Sequence, residues 1–197
     1  MFLLFKRLFD IILSTSLVFA SFPLLFFSII LVLIIDNHFP LFLHERSGKN
    51  GKIIKIIKLR TMKERDGVLE ITKLGKFFRI SKIDELPQIF NILLNDMSFI
   101  GPRPLFLDFN NYYKKHHKLR ISVKPGLTGL AQIKVKDNSN WSQKFNFDVI
   151  YIKHTNLKLE LYILYMTFLL VLKSLFQKES RPIEIINYKK HFFENYQ

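Results

Sequence analysis

"LFDIILSTSLVFASFPLLFFSIILVLII" occupies residues 8–35 and decides what kind of fold this chain can adopt. Its single charge, Asp10, stands near its start. As a straight helix, roughly 28 residues would reach about 42 Å, against a bilayer hydrocarbon core of about 30 Å. A secretory hydrophobic region is roughly 7–15 residues long and ends at a small-residue cleavage site, so this segment is too long for a signal peptide. Pro23 falls near the middle. Proline removes one backbone donor and clashes with the preceding turn, and Ser14, Ser16 and Ser21 are placed to take up freed carbonyls. Two geometries follow: a tilted span, or a helix–break–helix hairpin that dips into one leaflet and returns. Lys6 and Arg7 precede the segment, and Arg46, Lys49, Lys52, Lys55, Lys58 and Arg60 follow it. Both flanks therefore favour the cytoplasmic side. A single span cannot place them together; a hairpin can. Asp10 follows Lys6 by four residues, a spacing that lets the two pair on a helix.

The composition of the whole chain is both apolar and basic. Of 197 residues, 49% are hydrophobic and 21 are Phe, while 30 Lys+Arg against 16 Asp+Glu leave a formal charge of +14. That pairing suits an anionic membrane surface, which attracts each nearby Lys or Arg by about 1 kcal/mol. A nucleic-acid reader needs the charge but not so apolar an N-terminus. With no cysteine, disulfides, thiolate catalysis, Cys-ligated zinc and iron–sulfur sites are excluded. There is no Walker lysine loop and no G-x-G-x-x-G. The histidines, including His116 and His117, have no metal-site spacing and read as solvated.

Further along, Ser47–Gly51 reads as a turn between strands, giving a short β-hairpin. "KERDGVLE" (63–70) reads as an exposed loop, and "ITKLGKFFRI" (71–80) as a short basic helix. "GPRP" (101–104) is a rigid extended turn. "FNNYYKKHHKLRI" (109–121) reads as a helix, and "VKPGLTGLAQI" (123–133) as a turn leading into a strand. "WSQKFNFDVIYIKH" (141–154) is an amphipathic helix with Trp141, Phe145, Val149 and Ile152 on one face. Residues 159–176 form a second apolar helix, sunk in the membrane interface or packed on the hairpin.

"RISKIDELPQIFN" (79–91) places Asp84 beside Glu85 in this basic chain. One reading is structural: Asp84 caps a helix, with Pro87 in its first turn. The other is chemical. Two adjacent carboxylates repel, and Mg²⁺ relieves that repulsion by binding one or two carboxylates together with phosphate oxygens. One acid then holds metal while the other attacks phosphorus. Lys58, Arg60, Arg79, Lys82 and Arg103 would supply phosphate contacts, Arg by bidentate grips. Taken singly, each of these cations also reads as a solvated surface charge.

Several blocks in order resemble the bacterial sugar transferase family, the monotopic polyprenyl-phosphate sugar-1-phosphate (phosphoglycosyl) transferases. They are "KRLFD" (6–10), "KLRTM" (58–62), "LGKFFR" (74–79), "DELPQIFN" (84–91), "DMSFIGPRP" (96–104), "VKPGLTGLAQI" (123–133) and "FDVIYI" (147–152). The resemblance implies transfer of sugar-1-phosphate from a nucleotide diphosphate sugar, usually a UDP-sugar, to undecaprenyl phosphate. It implies an aspartyl-phosphosugar intermediate on Asp84, with Glu85 holding Mg²⁺. It further implies that Arg79, Arg103, Lys58 and Arg60 bind phosphate, and that Asp148 is an acid near the site.

The resemblance also implies an α+β, mainly helical fold. Residues 1–36 would be a re-entrant, Pro-broken membrane hairpin and 37–177 a small cytosolic catalytic domain with interfacial helices and a short β-hairpin; 178–197 would be a polar tail. Its place would be the cytoplasmic face of the bacterial inner membrane, in contact with its lipid and with no nucleic-acid partner. A homodimer is compatible with the chain. The length matches the minimal catalytic form, without the additional membrane domain of larger relatives.

Four positions depart from the family pattern. Phe22 separates Ser21 from Pro23, and Lys82 stands where a Ser commonly precedes the nucleophile by two residues. Lys134-Val135-Lys136 replaces Asn-Gly-Arg, and Phe39 replaces a Gly before Pro40. A competing reading is a non-catalytic, membrane-anchored basic module that binds anionic lipid.

Overall fold

The fold was analysed in a computed structural model that describes residues 2–65, 67–135 and 140–176. The chain divides into two compact units, residues 1–45 with 55–96, and residues 46–54 with 97–197.

The first unit begins with α1, Phe2–Leu31, which passes into a π-helical turn, Val32–Asp36, closed by Asn37 in the left-handed region (φ 52°). Contrary to the expected break, the helix runs on through Pro23. The Ser14, Ser16 and Ser21 hydroxyls donate one turn back to the carbonyls of Asp10, Ile12 and Leu17. These are not the carbonyl of Phe19, which the missing Pro23 N–H leaves unserved. The burial of α1 is inside-out for a water-facing helix. Asp10, Ser14 and Ser28 are buried, while Phe19 and Leu3 stand 77% and 73% exposed. Among the described residues this is the one helix long and apolar enough to cross a membrane.

Strands β1 (Leu41–Ser47) and β2 (Ile53–Leu59) pair as a two-stranded sheet around a 3-10 turn, Lys49–Gly51, as the Gly48/Gly51 turn signal implied. Residues 63–70 are not a loop. β3 (Met62–Arg65) pairs antiparallel with β4 (Val68–Ile71), and Gly67 supplies the positive φ (78°) of the tight turn. Next come α2 (Lys73–Ser81), a 3-10 turn (Ile83–Glu85) and α3 (Gln88–Leu93). Leu25 and Val32 from the α1 end pack with Leu59, Phe78 and Ile83 to form the core. Asn91, on α3, acts as a short extra strand for β2. Its Nδ2 donates to the Lys55 carbonyl (2.7 Å) and its Oδ1 accepts from the Ile57 N–H (3.0 Å).

In the second unit β5 (Ser98–Ile100) pairs parallel with β6 (Gly126–Thr128). A Cβ at Gly126 would lie 2.1 Å from the Gly101 nitrogen, so only glycine permits this approach. The run expected as strand instead continues into α4 (Leu130–Lys134). Residues 109–121 hold two 3-10 turns, Leu107–Asn111 and His117–Ile121, and not the expected helix. α5 (Trp141–His154), capped by Asn140, buries Trp141, Phe145 and Val149 as anticipated. Trp141 and Phe145 pack against Phe109 and Tyr113. α6 (Leu157–Phe176) buries Glu160 and Ile163 and leaves Leu161, Tyr165 and Phe168 exposed. His117 is buried and not solvated. Its Nε2–H donates to Asn146 Oδ1 (3.0 Å), and burial pushes its pKa below the ordinary 6.5. The polar tail read at 178–197 lies outside the described residues.

Candidate active site

The carboxylate pair sits on a sharp turn and not at the start of an α-helix. Lys82 ends α2 in the left-handed region (φ 62°, ψ 13°) and starts the 3-10 turn Ile83–Glu85. Glu85 N–H and Leu86 N–H close that turn on the carbonyls of Lys82 and Ile83. α3 begins only at Gln88, with Pro87 at its N-cap position. The capping role expected of Asp84 is therefore not filled. Its carboxyl takes no backbone N–H on Oδ1, which is buried without a hydrogen bond.

That orphaned oxygen defines the electrostatics of the turn. Asp84 is only 9% exposed. Burial raises its pKa above the usual 3.8, and neighbouring Glu85 raises it further; Lys58, Lys82 and Arg79 pull in the opposite direction. Desolvation wins over three cations, so this carboxylate is held at a high free energy. Glu85 is steadied by Lys58, whose Nζ lies 2.9 Å from Oε1. Arg79 reaches the turn from α2 with its Nε on the Thr61 hydroxyl (2.8 Å). Arg60 stands over the Phe42 ring (5.8 Å to its centroid), its Nε buried and making no hydrogen bond.

The first unit thus brings together Lys58, Arg79, Lys82, Asp84 and Glu85. Arg103 and Asp148 belong to the second unit. There Arg120 is the organising residue. Its Nε donates to Asp148 Oδ2 (3.1 Å), its Nη1 to the Tyr113 hydroxyl (2.6 Å) and its Nη2 to the Arg103 carbonyl (2.8 Å). Burial pushes the Asp148 carboxyl up, and Arg120 opposes it. Sequence reasoning missed Arg120, which lies in a stretch read only as a helix with a solvated His116-His117 pair. It also gave no role to Thr61 and Asn91, although they lie in the blocks "KLRTM" and "DELPQIFN".

The model of a family described as bacterial sugar transferase matches residues 1–174. The chain belongs to that family. It is 37% identical over 180 residues to the protein named "Uncharacterized sugar transferase EpsL" of Bacillus subtilis (strain 168), covering 87% of this chain and 89% of that one. It is 35% identical over 183 residues to the UDP-glucose:undecaprenyl-phosphate glucose-1-phosphate transferase of Klebsiella pneumoniae, covering 84% of this chain. It is 31% identical over 193 residues to the undecaprenyl-phosphate galactose phosphotransferase of Salmonella typhimurium (strain LT2), covering 85% of this chain. The chain spans only 39% and 40% of the length of those two longer relatives.

For a member of this family, the donor set at Asp84 and Glu85 bears on Mg²⁺. Among the described residues no three metal-ligating side chains cluster. Mg²⁺ does not require three, since it binds through one or two carboxylates plus substrate phosphates and water. A buried carboxylate oxygen with no hydrogen bond, beside a second carboxylate, fits that mode.

Proposed function

We propose that this protein transfers sugar-1-phosphate from a UDP-sugar to undecaprenyl phosphate, with Asp84 as nucleophile. The observation that carries the reading is the Asp84 carboxylate: buried, unbonded at Oδ1, and ringed by Lys58, Lys82 and Arg79. A stable fold gains nothing from a carboxylate so placed, whereas an attacking oxygen needs to be poorly solvated and surrounded by phosphate-binding cations. The printed functions of the Klebsiella and Salmonella relatives support the substrate classes.

In this scheme an Asp84 oxygen attacks the β-phosphorus of the UDP-sugar. The bond from that phosphorus to the bridging oxygen breaks, and its electron pair leaves with UMP. An oxygen of undecaprenyl phosphate then attacks the same phosphorus and displaces Asp84, giving the polyprenyl-diphospho-sugar and restoring the carboxylate. Arg79 and Lys58 hold diphosphate oxygens, and Arg103 and Arg60 are assigned to the same task. Glu85 would hold Mg²⁺, which neutralises diphosphate charge when bound.

The membrane arrangement we assign is re-entrant, α1 turning back by a proline bend within one continuous helix rather than by a break, with the catalytic turn on the cytoplasmic face of the inner membrane. Its support is that both ends of the α1 segment bond to the 72–93 part of their own unit. Arg7, at one end, donates to the Ile92 and Leu93 carbonyls at the C-terminus of α3 (2.7 and 2.9 Å). Asp36, at the other, accepts from the Thr72 hydroxyl (2.7 Å). A helix spanning the bilayer would carry its two ends to opposite sides of about 30 Å of hydrocarbon.

The test is UMP release from a panel of UDP-sugars with undecaprenyl phosphate and Mg²⁺. Asp84→Asn is expected to lose several orders of magnitude in turnover, and the parent to carry a sugar-phosphate mass adduct on Asp84. In EDTA the same variant should melt no lower than the parent, because the amide removes a charge that burial disfavours. Full activity in Asp84→Asn would overturn the assignment. Single cysteines at positions 2 and 49 should label from the same side of the membrane.

A further inference from the structure

α2 sits unusually close to Thr61. A Cβ on Gly75 would lie 2.2 Å from the Thr61 carbonyl oxygen, so only a glycine lets the helix come so near. Residues four apart share a helix face, so the approach at Gly75 also brings Arg79 over Thr61. The Arg79 Nε then donates to the Thr61 hydroxyl at 2.8 Å. Thr61 is itself only 5% exposed and is fixed from its other side, since its carbonyl accepts from the Thr72 N–H (3.1 Å). Thr72 is fixed in turn: its hydroxyl donates to Asp36 (2.7 Å) and accepts from the Gly75 N–H (2.9 Å).

The consequence lies in which part of the guanidinium is used. Nε is occupied, and among the described residues neither Nη of Arg79 has a hydrogen-bond partner. A guanidinium is planar, so holding Nε sets the plane in which both Nη groups present their donors. Arg79 also lies close enough to Asp84 to favour its ionised form. We infer that Thr61 is a positioning residue: its hydroxyl holds Arg79 by Nε, so that both Nη groups are turned toward a phosphate of the substrate attacked at Asp84. A lysine at 79 would lack this device, having no second donor edge. The inference rests on the proposed phosphoryl transfer at Asp84 and adds to it a residue that touches no substrate.

Thr61→Val is nearly isosteric and removes the hydroxyl that accepts from Arg79 Nε. With the full-length protein, UDP-glucose, UDP-galactose and UDP-N-acetylglucosamine as probes, and UMP release as readout, it should lower kcat/KM about 10- to 100-fold. The loss should fall mainly on KM for the UDP-sugar, and Thr61→Ser should restore activity to within about 3-fold of the parent. A double-mutant cycle separates positioning from mere folding. In an Arg79→Ala background, Thr61→Val should cost nothing further, because the group it positions is gone. Thr61→Val with parental kcat/KM, or losses at 61 and 79 that simply multiply, would overturn the inference while a dead Asp84→Asn left the reaction assignment standing. An active Asp84→Asn would overturn both.

Discussion

Asp148→Asn separates two roles for an acid that its sequence motif associates with the site. In the structure the Asp148–Arg120 pair is enclosed, with each side chain 4% exposed. Replacing the carboxylate by an amide of the same shape leaves the Arg120 charge buried without its counter-ion. Breaking a buried pair from one side costs about 3–5 kcal/mol. Arg120 keeps two neutral acceptors, the Tyr113 hydroxyl and the Arg103 carbonyl, so the lower end, about 3 kcal/mol, is expected. For a chain of this size, each kcal/mol moves the melting temperature by about 2–4 °C, giving a fall of about 6–12 °C. The assay is built into the molecule. Trp141 is the sole tryptophan, is 4% exposed, and packs on Phe145 and Phe109 in the second unit. Its fluorescence during heating therefore reports that unit. The double replacement Asp148→Leu with Arg120→Met should recover most of the loss, since swapping a whole buried pair for apolar residues is often neutral or stabilising. An Asp148→Asn protein that melts within about 1 °C of the parent yet has lost turnover would refute this reasoning and place Asp148 on the substrate.

Two further outcomes follow from packing and titration. Gly75→Ala forces a methyl against the Thr61 backbone oxygen, so it should destabilise the first unit by about 1–3 kcal/mol or more; hydrogen exchange of the α2 amides would show it, with a loss of turnover alongside. The folded-state pKa of His117 is depressed by burial, so the unfolded chain takes up the proton more readily. Its contribution is full above pH 6.5 and is lost as pH falls below that value toward the depressed one. Trp141 melts at pH 7.5 and 5.5 should show this drop in the parent and a smaller one in His117→Gln; equal drops would count against the assignment.

The sequence exposed most plainly those features that depend on composition or on one turn residue. The apolar run at 8–35 read as helical, though with a break at Pro23 that the structure does not have, and Gly48 and Gly51 marked the turn it shows. Residues 109–121 misled because Phe109, Tyr113 and His117 recur every four positions, as on a helix. The same side chains are buried in the structure, but Phe109 and His117 stand on two separate 3-10 turns and Tyr113 in the segment between them, all three packing on α5. The periodicity reported burial and not helical geometry. The β3–β4 hairpin escaped notice for the opposite reason. β3 is charged at three of its four residues and both strands are only four long, so the Asp-Gly turn signal stood without the apolar alternation that usually accompanies it. Arg120 was hidden because a charge in a basic run gives no sign of burial; only its three acceptors reveal it.

The carboxylate pair shows why a cap reading and a chemical reading lead to different structures. A capping aspartate gives its side-chain oxygen to a backbone N–H and thereby becomes a poor nucleophile. Here Lys82 takes the left-handed conformation, which costs a non-glycine residue roughly 1–2 kcal/mol. The chain turns one step early, so the 3-10 turn holds Ile83 in the core and leaves Asp84 beside it with Oδ1 unbonded. Two unfavourable choices, a strained lysine and an orphaned carboxylate, stand two residues apart. Neither contributes to stability, and each could be removed by a single substitution. Strain and unpaired polar groups persist together where function requires them. Lys82 also favours the charged form of Asp84. In the proposed reaction the lysine would act on Asp84 twice, by the bend of its backbone and by its charge.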